Sequence, residues 1–194
     1  MATIYGTNYA DNLSGSSDAD TFYLRDGNDL AFGGYGNDVM HGENGSDSLY
    51  GQGGNDVLYG GSGYDYLSGG DGNDYLVGGA NADYLSGGFG YDTFKMGSAS
   101  DASGDTIYDF TRYLDKIDLS AIDAVDFKWS SPSTWGNQSF TYIHDDAFYK
   151  AGQLRSFQYG GNTYVQGSTD SDSAAEFQFK LVGLHNLQAT DFML

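Results

Sequence analysis

The chain has 194 residues, of which 27 are acidic and only eight are Lys or Arg, so its formal net charge is −19. This charge argues against nucleic acid or an anionic membrane surface as a direct partner, and it suits a cation. The chain has no cysteine, which excludes disulfides, thiolate zinc sites and a cysteine nucleophile. No apolar stretch is long enough to predict a membrane span.

Composition changes along the chain. Residues 1–95 hold 22 of the 30 glycines, and Arg25 and Lys95 are the only basic residues there. The shift predicts a boundary near Met96, with a glycine-rich part at 1–95 and a β-rich C-terminal cap at 96–194.

The first part repeats every nine residues. Each repeat has an aspartate, an apolar residue two places after it and, except at Leu24, a glycine five places before it. The written repeat is G-G-x-G-x-D-x-U-x, where U is apolar, and its positions are numbered here as places 1 to 9. The aspartates at place 6 are Asp11, Asp20, Asp29, Asp38, Asp47, Asp56, Asp65, Asp74, Asp83 and Asp92.

This spacing predicts a six-residue turn followed by a three-residue strand, with place 8 facing inward and places 7 and 9 outward. Two repeats complete one coil, so Asp38 lies beside Asp56, and Asp47 beside Asp65, at about the 4.8 Å strand spacing. Stacked carboxylates repel unless a cation lies between them. Calcium fits best, because it accepts six to eight oxygen ligands in flexible geometry. An alternative is that the aspartates only form turns, but that role would not require glycine at three fixed places.

The repeat resembles the RTX family, which includes the C-terminal part of serralysin-type metalloproteases and the R-modules of alginate epimerases. The resemblance implies an all-β fold, a right-handed parallel β-roll of nonapeptide repeats followed by the β-rich cap. It also implies that calcium is held by the place 6 aspartates and by the carbonyls of places 2 and 4, with about five to seven ions in all. The implied aspartate ligands are Asp29, Asp38, Asp47, Asp56, Asp65, Asp74, Asp83 and Asp92. The implied carbonyl ligands are Gly34, Gly36, Gly45, Gly54, Gly61, Gly63, Gly70, Gly72, Gly88 and Gly90.

Some repeats depart from the pattern. Glu43 and Gln52 replace glycine at place 2, which leaves a carbonyl ligand in place. The first three repeats are more degenerate, with Thr7 and Ser16 at place 2 and Leu24 at place 1 of the third. We expect these repeats to form an end cap with weaker or absent calcium sites.

The second half predicts further short strands. Residues 105–110 and 116–120 match a family pattern that continues and closes the roll, and a helical turn is expected at 120–125. Residues 154–159 and 163–165 flank Gly160-Gly161-Asn162, which predicts a hairpin, and 177–181 alternate as a half-buried strand. Asp101 and Asp105 form either one more ion site or an ordinary acidic loop. Residues 170–172 are interpreted as a turn rather than an EF-hand loop, because the later glycine and glutamate are missing.

The ends of the chain bear on export. Residues 1–6 lack the basic and apolar regions of a cleavable signal peptide. The chain ends Asp191-Phe192-Met193-Leu194, and in the resembling family such an ending closes the signal read by a type I exporter. The alternative is a plain last strand, and the two are compatible because the signal is read before folding. We therefore predict a secreted, extracellular bacterial protein that folds on binding calcium after export.

Catalysis is not predicted. None of the three histidines forms H-E-x-x-H, and there is no G-x-S-x-G elbow. Two other hypotheses stay open. The chain could be a non-catalytic accessory module of a secreted protease, lipase or epimerase. It could also bind extracellular polysaccharide through outward aromatic residues such as Tyr66 and Tyr84, although tyrosine suits outward sheet positions in any case.

Overall fold

The computed structural model describes residues 1–122, 141–142, 153–169 and 175–194. The described residues form two sheets whose strands alternate along the chain, so that each coil contributes one strand to each sheet. All neighbouring strands within residues 1–118 pair in parallel, as in a β-roll. The predicted all-β parallel roll is confirmed.

The first sheet has eight strands. In spatial order these are β1 (Thr3–Tyr5), β3 (Thr21–Tyr23), β5 (Val39–Asn44), β7 (Val57–Ser62), β9 (Tyr75–Ala80), β11 (Thr93–Lys95), β13 (Lys116–Asp118) and β18 (Phe192–Met193).

The second sheet has ten strands. In spatial order these are β14 (Thr141–Tyr142), β15 (Gln153–Tyr159), β16 (Asn162–Ser168), β17 (Phe177–Leu181), β12 (Thr106–Ile107), β10 (Tyr84–Phe89), β8 (Tyr66–Asp71), β6 (Ser48–Gly53), β4 (Leu30–Tyr35) and β2 (Asn12–Ser14).

The core is a column of one apolar side chain per repeat. Place 8 is fully buried from Phe22 to Phe94, including the small side chain of Ala31. At the N-terminal end, Ile4 and Leu13 are only partly buried. A core one side chain wide buries little apolar area per residue, so interactions in the turns must contribute much of the stabilising free energy.

Strand length differs from the expectation. Strands β4 to β10 have six residues rather than three, because places 1 to 3 of the following repeat continue the ladder. Place 1 is therefore a second inward position, and it holds glycine in every repeat except the third, where Leu24 is fully buried. A Cβ added to Gly69 would lie 2.1 Å from Asp74 Oδ2.

The second half continues both sheets. Strand β12 pairs with β10, and β13 pairs with β11, as the family pattern implied. The predicted hairpin is β15 and β16, which pair antiparallel around Gly160 and Gly161, both at positive φ. The predicted strand at 177–181 is β17, with Phe177, Phe179 and Leu181 buried.

Two short helices were not predicted from the sequence, and two predicted turns involve residues that the structure does not describe. A short helix, α1 (Ala99–Ala102), and a 3-10 helix at Ala189–Asp191 precede strands β12 and β18. The predicted turn at 170–172 and most of the helical turn at 120–125 fall outside the described residues. No helix in the described part of the chain has the length and apolar character needed to cross a membrane.

Candidate metal centre

The place 6 aspartates stack in one column along each edge of the roll. In each column, Oδ1 of one aspartate accepts a hydrogen bond from the backbone N–H of the aspartate 18 residues earlier. Asp38 N donates to Asp56 Oδ1 at 2.7 Å, and Asp47 N donates to Asp65 Oδ1 at 2.8 Å. The predicted neighbours are confirmed, and each carboxylate uses one oxygen to tie its coil to the preceding one.

The second carboxylate oxygen, Oδ2, lacks a hydrogen-bond partner in most of these aspartates. Eight Oδ2 atoms are buried without a hydrogen-bond partner, and the eight residues are no more than 3% exposed. A buried polar atom without a partner costs about 1–3 kcal/mol, more when charged, and native structures contain few of them. The eight are Asp29, Asp38, Asp47, Asp56, Asp65, Asp74, Asp83 and Asp92.

Burial raises the pKa of these carboxyl groups. Desolvation raises the pKa of Asp47, Asp74 and Asp83 to about 7. It raises the pKa of Asp56, Asp65 and Asp92 to about 6, and moves that of Asp29 and Asp38 upward. Neighbouring carboxylates add to the effect at most of them. Negative charge is thus costly at these turns unless a cation compensates it.

Carbonyl oxygens of one coil lie close to the place 2 and place 4 glycines of the next coil. A Cβ added to Gly54 would lie 1.8 Å from Gly36 O, and one added to Gly70 would lie 2.1 Å from Gln52 O. A side chain at either position would be crowded by this carbonyl as well as strained by the positive φ. All ten predicted carbonyl-ligand glycines have positive φ: Gly34, Gly36, Gly45, Gly54, Gly61, Gly63, Gly70, Gly72, Gly88 and Gly90.

Four other residues hold the same strained angle in turns where glycine is replaced. Arg25, Glu43 and Gln52 at place 2 have φ of 75°, 71° and 76°, and Asn81 at place 4 has φ of 82°. Residues that bear a long side chain thus keep the same turn conformation as glycine at these places. The carbonyl direction also survives, since Glu43 O lies 2.1 Å from a Cβ added to Gly61.

Sequence reasoning missed some members of the arrangement. Gly79 has φ of 108° and faces Gly61 O as its equivalents do. Asp83 N donates to Asp105 Oδ1 at 2.9 Å, and Asp92 N donates to Asp115 Oδ1 at 3.1 Å, so both columns extend by one aspartate. Their spacings of 22 and 23 residues break the nine-residue rule. The one feature of the repeat that the sequence keeps at these two positions is an aspartate two places before an apolar residue, Ile107 or Ile117.

Asp101 lies near this extension. Its charge contributes to the raised pKa of Asp83 and Asp105, after the larger effect of burial. Its backbone N–H is capped by Ser98 Oγ at 3.1 Å. A further ion at Asp101 and Asp105 stays a prediction.

The donor set narrows the choice of metal. Among the residues that the structure describes, no three His, Cys, Asp or Glu side chains converge as a ligand group. The donors offered at each turn are a carboxylate oxygen and backbone carbonyls, which are hard oxygen ligands. Such a set fits calcium, whereas zinc prefers nitrogen and sulfur in a tetrahedron, and magnesium demands a tighter octahedron.

The two histidines that the structure describes lie apart from any such centre. The His41 ring stacks between Tyr23 and Tyr59, with ring centroids 4.9 Å apart on each side. His185 Nε2 is 2.9 Å from Val182 O. Both positions are explained by packing.

The fold and the turns together define a parallel β-roll with repeated oxygen-donor sites between its coils. Residues 3–31, 32–67 and 65–94 match the RTX calcium-binding nonapeptide repeat. The first half of the chain is therefore built of RTX calcium-binding repeats.

Solved structures also resemble the chain. The AlgE6R3 subunit of the Azotobacter vinelandii mannuronan C5-epimerase is 25% identical over 97% of this chain and 80% of its own, with a TM-score of 0.44. The AlgE6R2 subunit is 25% identical over 98% and 91%, with a TM-score of 0.41. The extracellular lipase LipA of Serratia marcescens is 16% identical over 99% of this chain and 40% of its own, with a TM-score of 0.36. No curated protein matches the sequence.

Proposed function

We propose that this chain is a secreted bacterial calcium-binding protein that leaves the cell through a type I exporter and folds on binding several calcium ions. The single observation that carries the proposal is the set of eight buried, unpartnered carboxylate oxygens at place 6. A cation at each turn would supply the missing partner and offset the repulsion within the columns. Because the core is narrow, this contribution decides whether the roll forms.

The proposed ligands follow from the two columns. Each ion would be held by Oδ2 of place 6 aspartates, from Asp29 to Asp92, and by carbonyls of places 2 and 4. The ten glycines predicted from the sequence supply carbonyls, as do Glu43, Gln52 and Gly79. Calcium, when bound, supplies positive charge between stacked turns, and the chain supplies the spacing.

The C-terminus is consistent with export before folding. Asp191 is 1% exposed and accepts from Arg112 Nε at 3.3 Å, while Phe192 pairs with Ile117. An exporter could reach these residues only in an unfolded chain. Scarce cytosolic calcium would keep the chain unfolded until it is outside the cell.

A calcium titration tests the folding switch. Chelator-treated protein is followed by far-UV circular dichroism as calcium is added, with magnesium as the control. We expect a cooperative gain of β signal with calcium alone. An equal response to magnesium, or no response, would contradict calcium-dependent folding.

Two alternatives concern what the roll is for. As a non-catalytic accessory module, the chain would serve a secreted enzyme, and finding a catalytic domain on the same polypeptide in the source bacterium would favour this.

The division at Met96 stays a prediction, tested by whether residues 1–95 fold alone in calcium.

Polysaccharide binding is the other alternative. Tyr66 and Tyr84 lie opposite each other in register on β8 and β10, with outward, exposed side chains. Tyr50 contacts Tyr66, and Tyr84 contacts Tyr108, so these rings also pack on one another. Loss of alginate affinity in Tyr66→Ala plus Tyr84→Ala would support binding, and unchanged affinity would leave the rings a packing role.

A further inference from the structure

The turns at the two ends of the roll differ from those in the middle. Their aspartates are Asp11 and Asp20 at the N-terminal end and Asp115 at the C-terminal end. None of the three has an orphaned buried oxygen. Burial does not explain the difference, because Asp20 and Asp115 are both 2% exposed, like the aspartates between them.

In each end turn, the residue at place 2 occupies the oxygen that is free elsewhere. Thr7 N and Thr7 Oγ1 donate to Asp11 Oδ2 at 2.6 and 2.9 Å. Ser16 N and Ser16 Oγ donate to Asp20 Oδ2 at 2.9 and 2.8 Å. These charge-assisted bonds are among the stronger ones a carboxylate can accept.

At the C-terminal end, the same carboxylate oxygen is occupied by a backbone donor alone. Thr111 stands four residues before Asp115, which is place 2, and its N–H donates to Asp115 Oδ2 at 2.6 Å. Its hydroxyl donates to Asp109 O instead, at 3.2 Å.

The backbone angle at place 2 separates the two kinds of turn. Thr7, Ser16 and Thr111 are absent from the residues with positive φ, whereas place 2 is at positive φ in every turn whose Oδ2 is orphaned. In these three turns the N–H of place 2 reaches the carboxylate of its own turn. Where place 2 is at positive φ it does not, and Oδ2 is left for an external partner. The turn of Asp105 follows neither pattern, because its place 2 residue, Asp101, donates its N–H to Ser98 Oγ.

We propose that the residue at place 2 decides whether a turn takes calcium, and that Thr7, Ser16 and Thr111 close the end turns in place of the ion. This inference rests on the proposed calcium function and refines it. Calcium sites are then excluded from the turns of Asp11, Asp20 and Asp115, where the chain's own hydrogen bonds take the place of the ion.

Gln52 offers a direct test in a middle turn. It already places a side chain at positive φ four residues before Asp56, so a small polar residue there adds no new bulk. In Gln52→Ser the turn can relax to negative φ and give both donors to Asp56 Oδ2. Gln52→Gly has the same charge and keeps positive φ, as glycine does at place 2 of neighbouring turns, and it is the matched control.

The measurement is the number of calcium ions bound per full-length chain, by equilibrium dialysis at saturating calcium. We expect Gln52→Ser to bind at least one ion fewer than Gln52→Gly, and Gln52→Gly to match the parent chain. Equal counts in the two variants would overturn the inference. Absence of calcium binding by the parent chain would instead overturn the proposed function, so the two failures are distinct.

A reverse pair decides the matter if Gln52→Ser does not fold, as judged by circular dichroism in calcium. Ser16→Gly removes both the hydroxyl and the bias to negative φ, whereas Ser16→Ala removes the hydroxyl only. We expect Ser16→Gly to bind one ion more than Ser16→Ala. The inference fails if the two bind the same number.

Discussion

The two oxygens of a turn aspartate have different duties. In Asp65, Oδ1 accepts from Asp47 N at 2.8 Å and fixes the coil below, while Oδ2 is buried without a partner. An asparagine can still accept the hydrogen bond from Asp47 N through its carbonyl oxygen, but it cannot provide a negatively charged oxygen to a cation.

Asp65→Asn should therefore have opposite effects in the two states. With calcium, the concentration at the folding midpoint should rise several-fold, because a charged ligand is lost. Without calcium at neutral pH, the variant should be more folded than the parent, because a buried charge is removed. Circular dichroism in calcium and in chelator measures both effects. Asp18→Asn is the control, since that side chain is 76% exposed and its ion pair with the Met1 amino group, at 3.2 Å, lies at the surface where such a pair contributes little. It should change neither effect appreciably.

Backbone strain at place 2 gives a second prediction. Gln52 holds φ of 76°, which costs a side-chain-bearing residue about 1–2 kcal/mol, whereas glycine loses about 0.5–1 kcal/mol of chain entropy. Gln52→Gly should raise the free energy of unfolding in calcium by about 0.5–1 kcal/mol, measured by urea denaturation. Gln52→Ala keeps the strain and should bring no gain. An equal gain in both variants would contradict the argument.

The sequence was enough to find the eight orphaned aspartates and the ten positive-φ glycines, because strict periodicity transfers one turn's geometry to the next. Asp115 was not predicted, and Asp105 was considered only together with Asp101, since insertions before them break the nine-residue count while three-dimensional stacking is kept. Thr7 and Ser16 were recognised as departures, but their bonds to Asp11 and Asp20 depend on a backbone angle that composition does not reveal.

At the scale of the turn and strand, asparagine at place 5 ties neighbouring coils together. Its side chain accepts a hydrogen bond from the next coil, as Asn55 Oδ1 does from Asn73 N at 2.7 Å and Asn73 Oδ1 from Tyr91 N at 2.8 Å. This side-chain ladder runs outside the aspartate columns and ties coils together without an ion.

Asn73→Ala should lower the free energy of unfolding by about 1 kcal/mol, the typical net value of one hydrogen bond. Ala19→Asn is its counterpart, because Ala19 is the place 5 residue 18 positions before Asn37, and it should raise stability by a similar amount. Urea denaturation in saturating calcium measures both variants. A loss of calcium ions in Asn73→Ala would contradict a purely hydrogen-bonding role.

Strand length was misjudged at the same scale, and the reason is physical. The glycines at places 1 and 2 were both assigned to the six-residue turn. Place 1 glycine, however, has an ordinary backbone angle and continues the ladder. A side chain is disfavoured there because the aspartate five residues later fills the space where its Cβ would be. The two adjacent glycines thus have different reasons, lack of space for a Cβ at place 1 and positive φ at place 2. The repeat sequence does not distinguish these two reasons.

At the scale of the whole molecule, acidity and calcium should act in opposite directions. The raised pKa values mean that the metal-free roll binds more protons than the unfolded chain between about pH 4 and 7. Stability without calcium is thus fully present below the unfolded aspartate pKa and is lost as pH rises through 6 to 7. Calcium needs the ionised carboxylates, so its stabilising effect should weaken as pH falls over the same window.

Urea midpoints at pH 7.5, 6.0 and 5.0, in calcium and in chelator, test this linkage. In chelator the midpoint should rise on acidification, and the gain from calcium should shrink. The net charge of −19 also falls on acidification and acts in the same direction in chelator, so variants are needed to separate the two causes. Asp65→Asn should reduce the pH dependence, because it removes one buried titrating group, whereas Asp18→Asn lowers the charge equally and should leave the dependence nearly intact. Equal slopes in the two variants would assign the effect to overall charge rather than to the aspartate columns.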